Sequence, residues 1–235
     1  MCGACGCQDL PAPEPASVLL ELAQPLLQRN SAQARALRQR FAAAALPVIN
    51  LLSAPGSGKT AVLEQLAHHW PVPQRLGVVV ADLATDNDAR RLQAAGLQAV
   101  QVSTGQLCHL PAALLAAALD PLDLDALDLL VIENVGNLVC PALFDLGESL
   151  RVALLAVGEG EDKPLKYPGL FASADLVLIN KIDLAAAVGF DRSLTYRHLR
   201  QVAPAAPVLE ISAATGAGFA ALVAALAAPR PVRQR

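Results

Sequence analysis

The five cysteines are spread unevenly over the 235 residues: Cys2, Cys5 and Cys7 fall in the opening MCGACGC, and only Cys108 and Cys140 follow. An odd count argues against a disulfide framework and leaves metal binding or thiol reactivity. In the opening CxxCxC the spacers Gly3, Ala4 and Gly6 are small, so the chain can wrap one ion tightly. Three thiolates, with the terminal amine as a fourth donor, can enforce a planar arrangement that favours Ni²⁺ over tetrahedral Zn²⁺. Cys108, His109 and Cys140 form a second soft donor set, which suits Zn²⁺ or Ni²⁺ and not Mg²⁺. Neighbours on a helix face different ways, so Cys108 and His109 can share an ion only at an irregular turn or across a subunit boundary. The alternative for each later cysteine is a small buried hydrophobe.

A second group of residues suits phosphate. Ser53 to Thr60 reads SAPGSGKT, a phosphate-binding loop GxxxxGK[ST] with serine at the first glycine position. Such a loop turns backbone N–H groups inward around phosphate oxygens, and Gly56 and Gly58 supply the dihedrals that this needs. Gly56, Ser57, Gly58, Lys59, Thr60 and Ala61 are the candidate phosphate-binding residues. Lys59 would neutralise the β/γ-phosphates, and the Thr60 hydroxyl would ligate Mg²⁺.

Further along, Asn180-Lys181-Ile182-Asp183 ends an apolar run. A carboxylate at 183 can accept from guanine N1–H and N2–H₂, a donor pair that adenine lacks, while Asn180 holds the other side and the Lys181 stem lies over the ring. Phosphate loop and NKID together imply GTP and its product GDP. Only four lysines occur among the 18 basic residues, at 59, 163, 166 and 181. Where charge alone suffices the chain uses arginine, so lysine at 59 and 181 is read as selected for its compact head and thin stem. Ser212 and Ala213, in SAATG, are candidates to present amides to guanine O6.

Glu133, in LDLLVIENVG, is read as reaching Mg²⁺ through water, with the Gly136 amide facing the terminal phosphate. Asp82 is a second candidate for the metal or its waters, with a helix N-cap as the alternative. Lys59, Thr60, Asp82, Glu133 and Gly136 are thus the candidate catalytic residues, and Thr60, Asp82 and Glu133 the hard-metal set. Cys140 lies four residues beyond Gly136. Loops that γ-phosphate and Mg²⁺ order are released on hydrolysis, so a thiol on this loop implies metal affinity that depends on the nucleotide.

These residues need a scaffold that brings them to one edge. After Pro47, seven short, mostly continuous apolar runs (PVINLLS, LGVVVA, AVQVS, LDLLVIEN, RVALLAV, ADLVLINK and PVLEIS) alternate with turns and helical stretches. That pattern predicts a doubly wound α/β domain with a mainly parallel sheet of about seven strands, whose ligands sit at the strands' carboxyl ends. Residues 1–7 form the cysteine head, 8–16 a proline-rich linker, 17–228 a GTPase domain that begins with a helix, and 229–235 a basic tail.

Net charge is −3 and aromatics are 3%, so neither a basic field nor stacking platforms point to nucleic acid. The longest apolar runs stop near ten residues, short of the roughly 18 that cross a bilayer. No basic region leads into an apolar stretch at the start. The expectation is therefore a cytoplasmic protein with no membrane partner.

MCGACGC, SAPGSGKT, TGQLCHL, IENVGNLVCP and NKID, in that order, resemble the hydrogenase nickel-incorporation GTPases of the HypB family, SIMIBI-class P-loop proteins related to the urease accessory GTPases. The resemblance covers nearly the whole chain. It implies a high-affinity nickel site at the head and a weaker nickel or zinc site at Cys108, His109 and Cys140. It also implies GTP-favoured dimerisation, the HypA metallochaperone as partner, and delivery of Ni²⁺ to the hydrogenase large-subunit precursor. Many members carry a histidine-rich stretch after the head; residues 8–50 here contain no histidine. Hydrolysis is expected to be slow, because no in-line glutamine or arginine finger is evident. The competing readings are a nucleotide-responsive Ni/Zn storage or sensor module with little turnover, and a urease-type nickel-insertion GTPase.

Overall fold

The computed structural model describes residues 16–82 and 85–228. Cys2, Cys5 and Cys7, the linker up to residue 15, residues 83–84 and the tail 229–235 lie outside the described residues.

The described chain runs α1 (Ala16–Ala43), β1 (Val48–Ser53), α2 (Lys59–His69), β2 (Leu76–Asp82), α3 (Asn87–Ala94), β3 (Gln98–Ser103), α4 (Ala112–Ala118), β4 (Leu129–Glu133), α5 (Cys140–Leu143), β5 (Leu150–Ala156), α6 (Lys163–Lys166), α7 (Pro168–Ser173), β6 (Leu176–Asn180), α8 (Arg192–Val202), β7 (Val208–Glu210) and α9 (Phe219–Ala227). The seven apolar runs are the seven strands. They form one sheet in the order β3-β2-β4-β1-β5-β6-β7, and every pairing is parallel. Strands buried on both faces need no polar alternation, which is why they read as continuous apolar runs.

Side chains from α2, α3 and α9 (among them Leu63, Leu66, Leu92, Phe219 and Leu222) pack on one face. On the other face, α1 and α4 cover β1, β2 and β4 with Leu37, Phe41 and Leu115, and α7 and α8 cover β5 and β6 with Phe171 and Leu199. Between these two clusters lies a polar strip. Asn50 of β1 stands in register with Ile132 of β4 and Arg151 of β5, and Asn50 and Arg151 are both buried. No helix among the described residues is long and apolar enough to cross a membrane.

Candidate nucleotide and metal site

β1 ends at Ser53, and the phosphate-binding loop leads into α2 at Lys59. Among the described non-glycine residues only Ala45 and Lys181 have a positive φ, so position 53 does not need the glycine that the usual motif carries. Serine there adds a contact: Lys59 Nζ donates to Ser53 Oγ at 3.1 Å. The freedom of glycine is needed at 58, with φ of 97°. A Cβ there would stand 2.8 Å from Asn180 Nδ2.

The NKID turn closes directly on this loop. Asn180 Nδ2 donates to the Ser57 carbonyl at 2.9 Å, and Lys181 Nζ to the Gly56 carbonyl at 2.8 Å. Lys181 reaches it from a left-handed backbone, φ 63°. Asn180 Oδ1 accepts from Ala213 N at 3.2 Å, and Asp183 Oδ1 accepts from Ser212 Oγ at 2.6 Å. Here the structure differs from a simple amide cradle. The Ser212 amide already donates to the Ala217 carbonyl, because the SAATG turn closes on itself, so Ser212 contributes its hydroxyl.

Glu133, at the end of β4, is buried, and its Oε1 accepts from Thr60 Oγ1 at 2.8 Å. Its other oxygen is buried with no hydrogen-bond partner. Burial, opposed by the Thr60 hydroxyl and the Lys59 charge, pushes this carboxyl up to about 7. Burial also lowers Lys59, against the pull of Glu133, Asp88, Glu159 and Asp82. Asp82 ends β2, and its Oδ2 accepts from Thr85 Oγ1 at 2.8 Å; the N-cap of α3 is Asp86, so the capping alternative for Asp82 does not apply. A Cβ at Gly136 would lie 3.0–3.2 Å from Pro55 atoms, so the segment after β4 rests directly on the phosphate loop.

The same segment leads to the thiols. Asn137 Oδ1 accepts from Val139 N at 2.7 Å and Cys140 N at 3.3 Å, fixing the start of α5. Cys108 and His109 sit in an irregular turn after β3, the geometry that sharing an ion requires. Cys140 hydrogen-bonds Cys108, and this contact, with burial, pushes the Cys140 thiol up to about 11. Cys108 Sγ is 4.0 Å from His109 Nδ1, and the His109 ring stacks on Phe144 with centroids 3.6 Å apart. The two thiols are therefore together, while the imidazole is turned onto an aromatic ring. Among the described residues no three His, Cys, Asp or Glu side chains already form a metal-holding group.

Sequence reasoning missed several participants. Glu159 Oε1 accepts from Ser57 Oγ at 2.6 Å and Ala156 N at 3.0 Å, bracing the phosphate loop across 102 residues. Asn50, Phe144 and Arg151 carry no assignment from the sequence, and Asn134 enters it only as part of the ENVG segment. An asparagine inside an apolar run, as in VINLL, was the one visible signal.

Residues 47–210 match the CobW/HypB/UreG nucleotide-binding domain. The chain is 46% identical over 225 residues to the hydrogenase maturation factor HypB of Azotobacter chroococcum mcd 1, covering 93% of this chain and 72% of that protein. The chain belongs to the HypB family. Two solved HypB structures are similar to it. One, from Helicobacter pylori in complex with nickel, has a TM-score of 0.81 at 39% identity, covering 84% of this chain and 93% of the other. The other, from Archaeoglobus fulgidus, has a TM-score of 0.79 at 36% identity, covering 85% and 98%. The HypB fold thus sets the frame in which the phosphate loop, the NKID turn and the two thiols meet at one sheet edge.

Proposed function

We propose that this HypB-family chain is a GTP-hydrolysing nickel metallochaperone that delivers Ni²⁺ to the large-subunit precursor of a [NiFe]-hydrogenase. The observation that carries the reading is the continuity of residues 133–140: Glu133 beside Thr60, Gly136 against Pro55, Cys140 beside Cys108. One short segment touches both the nucleotide pocket and the cargo thiols.

In this reading the amides of Gly56 to Ala61 cradle the phosphates, and Lys59 offsets their charge. Asp183 reads the guanine donor pair, with Asn180, Lys181, Ser212 and Ala213 shaping its pocket. Mg²⁺ fits the hard oxygens of Thr60, Glu133 and Asp82, because Glu133 keeps a buried oxygen without a partner. When bound, Mg²⁺ supplies charge stabilisation to the transferring phosphoryl group. The segment NLVCP after Gly136 holds no glutamine to orient water, which supports slow hydrolysis.

Ni²⁺ or Zn²⁺ is cargo at Cys108, Cys140 and, once turned, His109. Residues 1–7, with Cys2, Cys5 and Cys7, are the tighter nickel site, joined by the 8–16 linker to the GTPase domain of 17–228, and 229–235 is a basic tail. Leu107, Val139 and Leu143, exposed by 43%, 56% and 64%, surround the thiols. That apolar rim supports a GTP-favoured homodimer and docking of HypA and the precursor. Reduced thiols fit a cytoplasmic setting.

The test is phosphate release from GTP and ATP, with and without Ni²⁺, HypA and the precursor. Turnover specific to GTP that rises with partners supports the proposal. Background turnover under every condition would replace it with a storage or sensor module.

A further inference from the structure

The Cys108–His109 turn and the 133–140 segment are separate stretches of chain, yet the proposed function needs both to answer to one nucleotide. Resting on that reading, we propose that the buried amide pair Asn50–Asn134 ties the Cys108–His109 turn to the triphosphate-sensing segment, so that movement of the segment is passed to the turn. The pair acts through backbone contacts, so both asparagines are positioning residues.

Asn50 sits in the middle of β1, fully buried, where a central parallel strand calls for an apolar side chain. Asn134 follows Glu133 and is also buried. Its Nδ2 donates to Asn50 Oδ1 at 3.1 Å. Its Oδ1 accepts twice, from Val135 N at 2.9 Å and from Leu110 N at 3.3 Å. Leu110 is the residue after His109, so one side chain holds the phosphate-facing segment and the thiol-bearing turn together.

The pair is only half satisfied. Asn50 Nδ2 is buried with no partner, and a buried unpaired donor is costly. Rotating the Asn134 amide would satisfy that donor only by turning its Nδ2 onto the Val135 and Leu110 amides, so the observed arrangement is the favoured one. The bond to the Leu110 amide is the longest of the three at 3.3 Å, so a modest pull on residues 134–136 would release it first. That pull is available next door: Val135 and Gly136 connect Asn134 to the face resting on Pro55. A side chain bonded to both segments gives a direct path along which either can bias the other.

The far side of the metal loop is fixed. Arg151, in register beside Asn50, donates Nε to Glu148 Oε1 at 2.5 Å, Nη1 to the Ala142 carbonyl at 2.7 Å and Nη2 to the Phe144 carbonyl at 2.9 Å. Phe144 in turn stacks on His109. The Cys108–His109 turn therefore has one support anchored by Arg151 and one that moves with residues 134–136. Releasing the second lets Cys108 move relative to Cys140, whose own position follows Asn137.

The experiment uses the full chain carrying Cys2→Ser, Cys5→Ser and Cys7→Ser, so that only the later thiols report. Nickel alone is titrated by thiolate-to-nickel charge-transfer absorption, once with GDP and once with a non-hydrolysable GTP analogue. The parent should bind nickel at least about tenfold more tightly with the analogue, within the usual range of allosteric couplings. Asn50→Leu fills the same space without the amide and lies outside the nucleotide pocket. It should keep analogue affinity within about threefold while the nickel ratio collapses to within about twofold. Asn134→Ala should collapse the ratio as well, and the double variant should lose nothing more, because the pair acts as a unit. A folded Asn50→Leu that keeps the parent ratio overturns the inference. If Asn50→Leu does not fold, a parent-like ratio in Asn134→Ala overturns it in the same way. A parent with equal nickel affinity in both states overturns the proposed function itself, and the inference with it.

Discussion

Glu133 is the residue at which burial and chemistry conflict most openly. Its carboxyl ordinarily titrates near 4.5 and stands at about 7 in the fold, chiefly through burial. The raised value fixes the sign of its pH dependence. Below about pH 4.5 both native and unfolded chains hold this proton and nothing is lost. Between about 4.5 and 7 the unfolded chain releases it while the fold retains it, so stability falls as pH rises and levels off above 7. At 1.36 kcal/mol per pH unit between about 4.5 and 7, the loss is on the order of 3 kcal/mol. Glu133→Gln, free of metal and nucleotide, should therefore melt several degrees higher than the parent at pH 8 and at the same temperature at pH 4.5, as calorimetry would show. A gain of equal size at both pH values would contradict this. Asp183→Asn replaces one acceptor with a donor, and GTP affinity should fall about 10- to 100-fold, the equivalent of about 1–3 kcal/mol, by fluorescence titration. Lys59, Thr60, Asn180 and Asp183 stand out in the sequence because a phosphate loop and a guanine edge would dictate their types at fixed spacing. Glu159 was not, because a carboxylate in a glycine-rich turn carries no local sign of a partner 102 residues away.

At the scale of elements, the strands were legible almost residue by residue, since burial on both faces leaves no alternation to misread. The exception is β5. Arg151 in its second position is charged, yet it is buried 3.0 Å or closer to Glu148 and two carbonyls. Only the fold shows that this guanidinium holds up the Ala142–Phe144 stretch. Arg151→Met should leave the buried Glu148 carboxylate without its guanidinium counter-charge, though the Leu146 amide still donates to it, at a cost of about 3–5 kcal/mol. In a chain of this length that is a fall in melting temperature on the order of 10 °C. Arg151→Met combined with Glu148→Gln should recover part of the loss, because no uncompensated charge remains. The short helices α5, α6 and α7 were illegible: each has proline in its first turn and runs six residues or fewer, too short for a periodic signal.

Over the whole molecule, the SAPGSGKT loop, the NKID turn and both later thiols lie at the carboxyl edge of one parallel sheet. The coupling proposed between them is visible in the sequence only in outline, from the four residues separating Gly136 and Cys140. The amide pair and the Arg151 support proposed to give it form depend on side chains from β1, β5 and the residue after β4, which distant parts of the sequence supply. A division of labour follows for the metals. Native mass spectrometry should find that deletion of residues 1–7 removes the tightest nickel and spares GTP binding, whereas Cys108→Ala keeps that nickel and loses nucleotide-dependent metal affinity. The central claim is that hydrolysis loosens the ion held by Cys108 and Cys140. Its most direct test is nickel release to a chelator from the Cys2→Ser, Cys5→Ser, Cys7→Ser chain, followed alongside phosphate release during a single turnover. Nickel should leave in step with phosphate and stay bound with a non-hydrolysable analogue; release at one rate with GTP, analogue and GDP alike would show that hydrolysis does not loosen the ion.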